Sequence, residues 1–227
     1  MSYVWDSMRE CAATMQHMME SVGRRDLDPS LDQYDWENHL YRSDIYRRGH
    51  VEVVDKTQTH GIYILHATVF PHTDDCSPIW GFDAVCGKSK ITGAFHDFSL
   101  VTDYHYMWKW FQDEVIGIEW NKPRILPEWA QKIFSPAMVA AGNINNEDEL
   151  QTLINLGIKT LDYYLTNVGD RILGQDYTEQ QNYYCYYQKQ NPHVCRSMIA
   201  MGVEEPIIRK FVDEVLFPEI KIPTKIN

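Results

Sequence analysis

The feature that most constrains the fold is a change of hydrophobic period near residue 36. From about 36 to 99, apolar and polar residues alternate, which is typical of strands with one buried face. Glycine, aspartate, threonine, lysine and serine interrupt this region at short intervals, as turns do. The pattern predicts strands over 46–56, 61–71, 79–86 and 90–98. Because such short connections favour antiparallel pairing, we expect a meander.

Helical spacing flanks the predicted sheet. Residues 3–21 carry apolar side chains three or four positions apart, and the same spacing returns most clearly over 147–173, behind the capping residue Asn146. Further helices are expected over 177–190, 193–201 and 204–216. We therefore predict one α+β domain over 1–227, a three-layer α/β/α sandwich whose central antiparallel sheet lies between helices.

Composition excludes several classes of function. The net charge of −11 argues against nucleic acid as the main partner. No apolar run reaches the ~20 residues needed to cross a bilayer, and the first residues lack a signal-peptide pattern, so we expect a cytoplasmic protein that does not bind membranes. Five cysteines without a C-x-x-C pair predict reduced thiols and no bound metal. Redox chemistry would then take place on a bound molecule.

Two strand residues are candidates for proton transfer. Asp83 interrupts the apolar strand IWGFDAVC, and His66 has apolar neighbours in ILHATVF. Burial raises the pKa of a carboxyl group, which can then serve as an acid. The alternatives are an aspartate satisfied by backbone donors and a hydrogen-bonded core histidine.

Strand periodicity places further polar residues on the predicted inner face. His50 and Glu52 are two positions apart and therefore share a face. Thr92 and His96 are assigned to the inner face of their strand. Asp97 has the opposite parity to Thr92 and is therefore interpreted as structural. Such a face would suit proton delivery to a ligand. Its proposed members are His50, Glu52, His66, Asp83 and Thr92.

These residues also carry a family resemblance. The chain resembles the ferredoxin-dependent bilin reductases over about 41–220, closest to the phycocyanobilin:ferredoxin oxidoreductase branch and its viral-type offshoot. The matching motifs are YRSDIYRRGHVE, ILHATVFP, GFDAV, TGAFHDFS, PRILPEW, QKQN and VLFP.

The resemblance implies roles for individual residues. Asp83 and His66 correspond to the family's catalytic pair beside the bilin, and Glu52 to the residue that serves reduction of the D-ring vinyl group. The positions implied to hold the substrate or its propionates are His50, Thr92, Arg124, Gln188 and Asn191.

The implied reaction needs no bound cofactor, because reduced ferredoxin supplies single electrons to biliverdin IXα. The partners are then biliverdin and ferredoxin, and we expect a monomer. Since ferredoxins are acidic, docking requires a local basic patch. The candidate residues are Arg42, Arg47, Arg48, Lys56, Lys88, Lys90 and Arg196.

The implied product is a four-electron-reduced phycobilin. Retention of Glu52 indicates phycocyanobilin, whereas a hairpin two residues longer than usual between Glu52 and His66 favours phycoerythrobilin slightly, because it would displace Glu52. Two other classes of protein stay open. One is a bilin carrier with attachment at Cys86 or Cys185, and the other is a structural protein that binds no bilin.

Overall fold

A computed structural model describes residues 2–221 of the chain. The strands are β1 Arg24–Asp26, β2 Glu37–Arg42, β3 Arg48–Lys56, β4 Ile62–Phe70, β5 Ile79–Cys86, β6 Ile91–Ser99 and β7 Val139–Ala141. The α-helices are α1 Tyr3–Val22, α2 Tyr106–Val115, α3 Glu128–Gln131, α4 Glu147–Asn167, α5 Thr178–Gln188, α6 Pro192–Ala200 and α7 Glu205–Phe211. A 3₁₀ turn covers Pro29–Gln33, and one π-helical turn covers Val212–Leu216.

The seven strands form one sheet in which spatial order follows chain order and every neighbouring pair is antiparallel. The predicted meander and the α+β class are confirmed. The four predicted strands agree with β3 to β6 within two residues at each end. Strand β2 lies in the predicted period-two region but outside the four predicted strands. The three-residue strands β1 and β7 carry too few residues to establish a period, and no strand was predicted there.

Helices cover both faces of the sheet. One face packs on α1, α2 and α4, where alternate strand residues such as Leu65 and Phe82 are fully buried. The opposite face packs on α5, α6, α7 and the π-helical turn, through residues such as Phe70 and Ile79. Among residues 2–221, no helix is both long and apolar enough to span a bilayer.

Helix α4 begins where the sequence predicts and ends earlier. The Asn146 side chain accepts a hydrogen bond from the amide of Glu149 at 2.8 Å, as an N-cap does. The helix stops at Asn167, and Gly169 adopts a φ of 120°, a conformation that side chains other than glycine rarely allow. The apolar residues after 167 therefore continue the spacing of the helix without belonging to it.

A β-bulge in β6 changes which side chains of that strand face the inner side of the sheet. Val85 pairs with Gly93 and Cys86 with Ile91, so Thr92 is an extra residue on β6. The bulge inverts the alternation, and His96 points toward α2 and α4, away from the face that carries Asp83. The expectation that Thr92 and His96 share the inner face is wrong for this reason.

Candidate functional site

A cavity of about 430 Å³ lies between strands β3 to β6 and the C-terminal part of the chain. Its floor is the sheet face that packs on α5 to α7, and segment 124–138 forms one wall. This volume is in the range of sites for small organic ligands. The cavity is rich in aromatic side chains: Phe95, Trp129, Phe134, Tyr184 and Phe217.

Three titratable residues form a row across the cavity floor. Glu52 on β3 pairs in register with His66 on β4, and His66 pairs with Asp83 on β5. Residues directly opposite each other on antiparallel strands project from the same face with their Cβ atoms about 5 Å apart. We call Glu52, His66 and Asp83 the acid row. The part of the His66 and Asp83 surface that remains accessible faces the cavity.

Both carboxyl groups of the acid row are at least partly protonated near neutral pH. Burial raises the pKa of Asp83 to about 7. Burial, together with the negative charge of Asp83, raises the pKa of Glu52 to about 8. The two groups therefore titrate as a coupled pair. Carboxylic acids that keep their protons at pH 7 can act as general acids toward a ligand above them.

His66 contributes a neutral ring to the row. Burial, and then the positive charge of Arg48, lower its pKa to about 3. Its Nδ1 is buried without a hydrogen-bond partner, as is Oε1 of Glu52. Because buried polar atoms are normally paired, these two unpaired atoms distinguish the acid row from an ordinary packed core.

His50 lies in the next row of the same face and does not form part of the cavity wall. It pairs with Thr68, which pairs with Gly81. Its Nε2 lies 3.1 Å from Oδ1 of Asn38, and its ring centre is 6.2 Å from that of His66. The implied direct contact of His50 with substrate is therefore not supported, since the fully buried ring lies behind the cavity surface.

Arg124 and Thr92 lie together at the cavity mouth. The guanidinium donates a hydrogen bond to the Thr92 carbonyl and lies 5.7 Å from the centre of the Phe95 ring. Thr92 donates from its hydroxyl to the Val85 carbonyl at 3.0 Å. A Cβ atom at Gly142 would come within 2.6 Å of Arg124 Nε, so a larger residue there would displace the arginine side chain. Both side chains are exposed and can reach a ligand's acidic groups.

Gln188 and Asn191 line the wall opposite the floor. Gln188 donates from Nε2 to the Tyr184 hydroxyl at 2.7 Å. Asn191 lies beyond the end of α5 and caps α6, since its Oδ1 accepts from the amide of His193 at 3.0 Å. The expected shared face of the late helix thus includes Tyr184 and Gln188, whereas Asn191 reaches the cavity from the following turn.

Asp97 faces the cavity side of the sheet, because it pairs with Gly81 beyond the bulge. Its parity assignment was therefore wrong. Its structural interpretation fits the contacts: one carboxylate oxygen accepts from the Ser135 hydroxyl at 2.5 Å, and the other accepts from the Ser135 amide and the Ser99 hydroxyl. Asp97 thus differs from the acid row because both of its carboxylate oxygens accept hydrogen bonds.

Sequence reasoning assigned no ligand role to Tyr184, Phe217 or Arg48. Tyr184 and Phe217 line the cavity, and Arg48 lies behind it. Tyr184 lies on the helical face that the sequence indicated, and Phe217 belongs to the VLFP motif. Their contact with the floor depends on how the C-terminal helices pack, which no local pattern specifies.

Within residues 2–221, one group of side chains has the spacing of a metal site: Cys76, His105 and Asp170. His105 Nδ1 accepts a hydrogen bond from the amide of Met107 at 3.2 Å and caps α2. In the neutral ring Nε2 therefore carries the proton and points toward Oδ2 of Asp170 at 3.6 Å. A protonated nitrogen has no free lone pair for a metal ion. A ligating histidine normally donates from its other nitrogen. The prediction that the protein binds no metal stays a prediction.

Comparison with known proteins supports the resemblance. The family described as ferredoxin-dependent bilin reductase matches residues 7–218. The chain belongs to this family. It is 27% identical over 197 residues to a phycocyanobilin:ferredoxin oxidoreductase of Prochlorococcus marinus, covering 83% of this chain and 77% of that protein. The bilin reductase of the same name from a Synechococcus species is 26% identical, with coverages of 79% and 74%.

Two solved structures share the bilin reductase fold. A structure of PcyX superposes with a TM-score of 0.71 at 23% identity, covering 94% of this chain and 99% of that one. The crystal structure of phytochromobilin synthase from tomato in complex with biliverdin gives a TM-score of 0.72 at 13% identity, with coverages of 92% and 82%. At these identities the likeness concerns the fold alone.

Several of the cations considered for a basic docking patch on this bilin reductase are buried or already paired with other side chains. Arg48 is buried, and Arg47 is half-buried with its guanidinium on the Gln181 side chain. Arg42 and Lys56 form ion pairs with Asp26 and Asp35 respectively. The exposed candidates that make no ion pair within residues 2–221 are Lys88, Lys90 and Arg196.

The two cysteines considered for bilin attachment lie outside the cavity wall. Cys86 is fully buried on the opposite face of the sheet, against α1. Cys185 is buried on α5, and its thiol approaches the Pro218 carbonyl at 3.7 Å. Burial raises the pKa of the Cys185 thiol to about 12. Neither sulfur is suited to attack a ligand on the cavity floor.

Proposed function

We propose that this protein reduces biliverdin IXα to a phycobilin, accepting four electrons singly from reduced ferredoxin. The observation that carries the proposal is the acid row on the floor of an aromatic cavity. The names of the curated relatives support ferredoxin as donor and a bilin as the molecule reduced. We expect a single-domain cytoplasmic protein with no resident metal or flavin. We also expect a monomer, and light scattering of the purified protein tests this.

The chemistry requires equal numbers of electrons and protons. Four electrons and four protons added to biliverdin give the phycobilin, and each electron creates or quenches a radical on the conjugated system. Asp83 donates a proton to the reduced bilin while the neutral His66 beside it orients the carboxyl group. The remaining carboxylate lies in a site that opposes its charge, so it regains a proton from solvent before the next electron arrives.

Ligand orientation follows from the chemistry of the two ends of the cavity. A guanidinium such as that of Arg124 binds a carboxylate through parallel hydrogen bonds, and its exposed position at the mouth suits the bilin propionates. Thr92 adds a hydroxyl nearby. Gln188 and Asn191 supply amide groups from the opposite wall. Aromatic side chains cover the remaining flat surface of a tetrapyrrole.

Ferredoxin docking is proposed on the side of the mouth that includes Lys88 and Lys90. Both lie in the turn between β5 and β6, two strands that form the cavity floor. Arg196 lies on α6, whose residues Val194 and Ser197 line the cavity. Cations at this position attract an acidic partner despite the net charge of −11.

The product depends on Glu52. The longer hairpin implies that Glu52 is displaced, but Glu52 pairs directly with His66, and the turn between β3 and β4 begins after Lys56. The hairpin therefore no longer favours phycoerythrobilin over phycocyanobilin. In the Glu52→Gln variant, a phycocyanobilin-forming enzyme should stop at a two-electron-reduced intermediate, whereas a phycoerythrobilin-forming enzyme should still complete the reaction. Chromatography of the products separates the two cases.

Anaerobic turnover of biliverdin with a ferredoxin-reducing system tests the function. We expect consumption of biliverdin and a product with four added hydrogens by mass spectrometry. Stoichiometric binding without reduction would contradict the reductase and leave the carrier, and a zinc-stained denaturing gel would then reveal any covalent adduct. Absence of a spectral change on titration with biliverdin would eliminate both.

A further inference from the structure

Arg48 is a buried cation behind the acid row. It begins β3, two positions before His50 and four before Glu52, and therefore projects from the same face. Only 8% of its surface is exposed. Among residues 2–221 no carboxylate lies within ion-pair distance of it, and its Nη1 is buried without a partner. A buried charge without a counterion is costly and requires a physical explanation.

One contact of Arg48 holds the cavity wall. Its Nη2 donates to the carbonyl of Val215, inside the π-helical turn Val212–Leu216. The next residue but one, Phe217, packs edge-on against His66 with ring centres 5.6 Å apart and an interplanar angle of 85°. Arg48 thus joins the strand that carries Glu52 to the segment that covers His66. Isolated π-helical turns are frequent at functional sites.

The charge of Arg48 acts on both histidines of this face. After burial, Arg48 is the next cause of the lowered pKa of His66 and of His50. Burial lowers the pKa of Arg48 itself to about 9, and Arg47 contributes further. The titratable groups on the elements packed around His66 are Glu52 and His50 on β3, Asp83 on β5, and Tyr184 on α5. When these carboxyl groups are protonated, Arg48 is the dominant charge near His66.

We propose that Arg48 is a positioning residue for proton delivery, whose buried cation fixes the Val215–Phe217 segment against His66 and adds to burial in opposing protonation of His66 and His50. The protons of the face then reside on Asp83 and Glu52. Proton delivery to a bilin presupposes the proposed function. The ionisation states of His66 and His50 do not, and they can be measured in the protein without any bilin.

Nitrogen-15 NMR of the histidine rings in the ligand-free protein tests the proposal. In the wild type we expect His66 to stay neutral from pH 5 to 8. Arg48→Gln should raise its pKa by more than one unit, so that the onset of its protonation becomes visible at the acid end of that range. The ring signals of His17, exposed on α1, serve as the internal control. A folded Arg48→Gln protein whose His66 titration matches the wild type would overturn the proposal.

Arg48→Lys keeps the cation and tests the same idea in a more conservative variant. A lysine ammonium at a buried site without a counterion should have a pKa at least one unit below its usual ~10.4, measurable on its labelled Nζ. An unshifted value would contradict the uncompensated burial on which the proposal stands. In turnover assays, Arg48→Gln should also displace the pH profile, whereas loss of a structural contact alone would lower the rate equally at every pH. Failure to reduce biliverdin would refute the proposed function without changing the NMR result.

Discussion

His66 on β4 is half-buried and His96 on β6 is fully buried; they lie on opposite faces of the sheet and differ in what surrounds them. His96 Nδ1 contacts the Gly81 carbonyl and Nε2 contacts the Thr160 hydroxyl, each at 2.7 Å. His66 Nδ1 has no partner, and the accessible part of its ring faces the cavity. The environments of these two histidines thus distinguish a fully packed face of the sheet from the face that borders the cavity.

The same contrast holds for the two aspartates on the cavity side. Asp97 has several serine donors, whereas burial is the only identified cause of the raised pKa of Asp83. Burial of a polar group therefore does not identify function by itself. What distinguishes the acid row is burial without partners beside an open cavity.

The largest effect is expected from Asp83→Asn, with Asp97→Asn as the matched variant. Asparagine keeps the size and polarity of Asp83 but cannot donate a carboxylic proton. We expect turnover to fall by about 100-fold or more, the range for loss of a general acid, with biliverdin still bound and a bilin radical visible by electron paramagnetic resonance. Asp97→Asn should lower stability without accumulating the radical. Wild-type rates from Asp83→Asn would remove that residue from the mechanism.

A second pair of variants compares the two histidines directly. His66→Gln should reduce turnover strongly with little change in the free energy of unfolding, because its Nδ1 makes no bond to lose. His96→Gln should cost about 1–3 kcal/mol of stability, since it disrupts two buried hydrogen bonds, while folded enzyme stays active. Denaturant unfolding and steady-state kinetics measure both. If His96→Gln lost activity as His66→Gln does, the division between the faces would fail.

The acid row should also be visible in the pH dependence of stability. The folded pKa of Asp83 is raised to about 7, above the ~3.9 of an unfolded aspartate, so wild-type protein loses stability as pH rises through this window. Asp83→Asn lacks this dependence, so its stability relative to the wild type should rise by ~3 kcal/mol between pH 4 and 7. Urea unfolding at several pH values measures the difference. Parallel curves for the two proteins would show that Asp83 is ionised normally.

The smallest effect concerns the mouth of the cavity rather than its floor. Steady-state turnover should fall a few-fold as ionic strength rises above ~0.15 M, because salt screens exposed charges beyond about 8 Å. Biliverdin binding should change much less. Lys88→Ala together with Lys90→Ala should reduce the salt dependence of turnover. Equal salt dependence of turnover and binding would argue against electrostatic docking.

How far the sequence predicts this molecule depends on the range of the interactions involved. The period-two pattern is local, so it located β3 to β6 and the face of Asp83 and His66. The bulge at Thr92 is a single extra residue that alternation cannot reveal, and it inverted the assignments of His96 and Asp97. Arg48 and Arg47 resemble surface cations in sequence, and only packing of the C-terminal helices buries them.

The most direct test of the central claim is a crystal structure of the protein with biliverdin bound. The account predicts the tetrapyrrole over the acid row, with an Asp83 carboxylate oxygen within about 3.2 Å of a bilin nitrogen or lactam oxygen. His66 should contact the same region, and the propionates should lie near Arg124. A bilin bound elsewhere, with the acid row still covered only by solvent, would contradict the account.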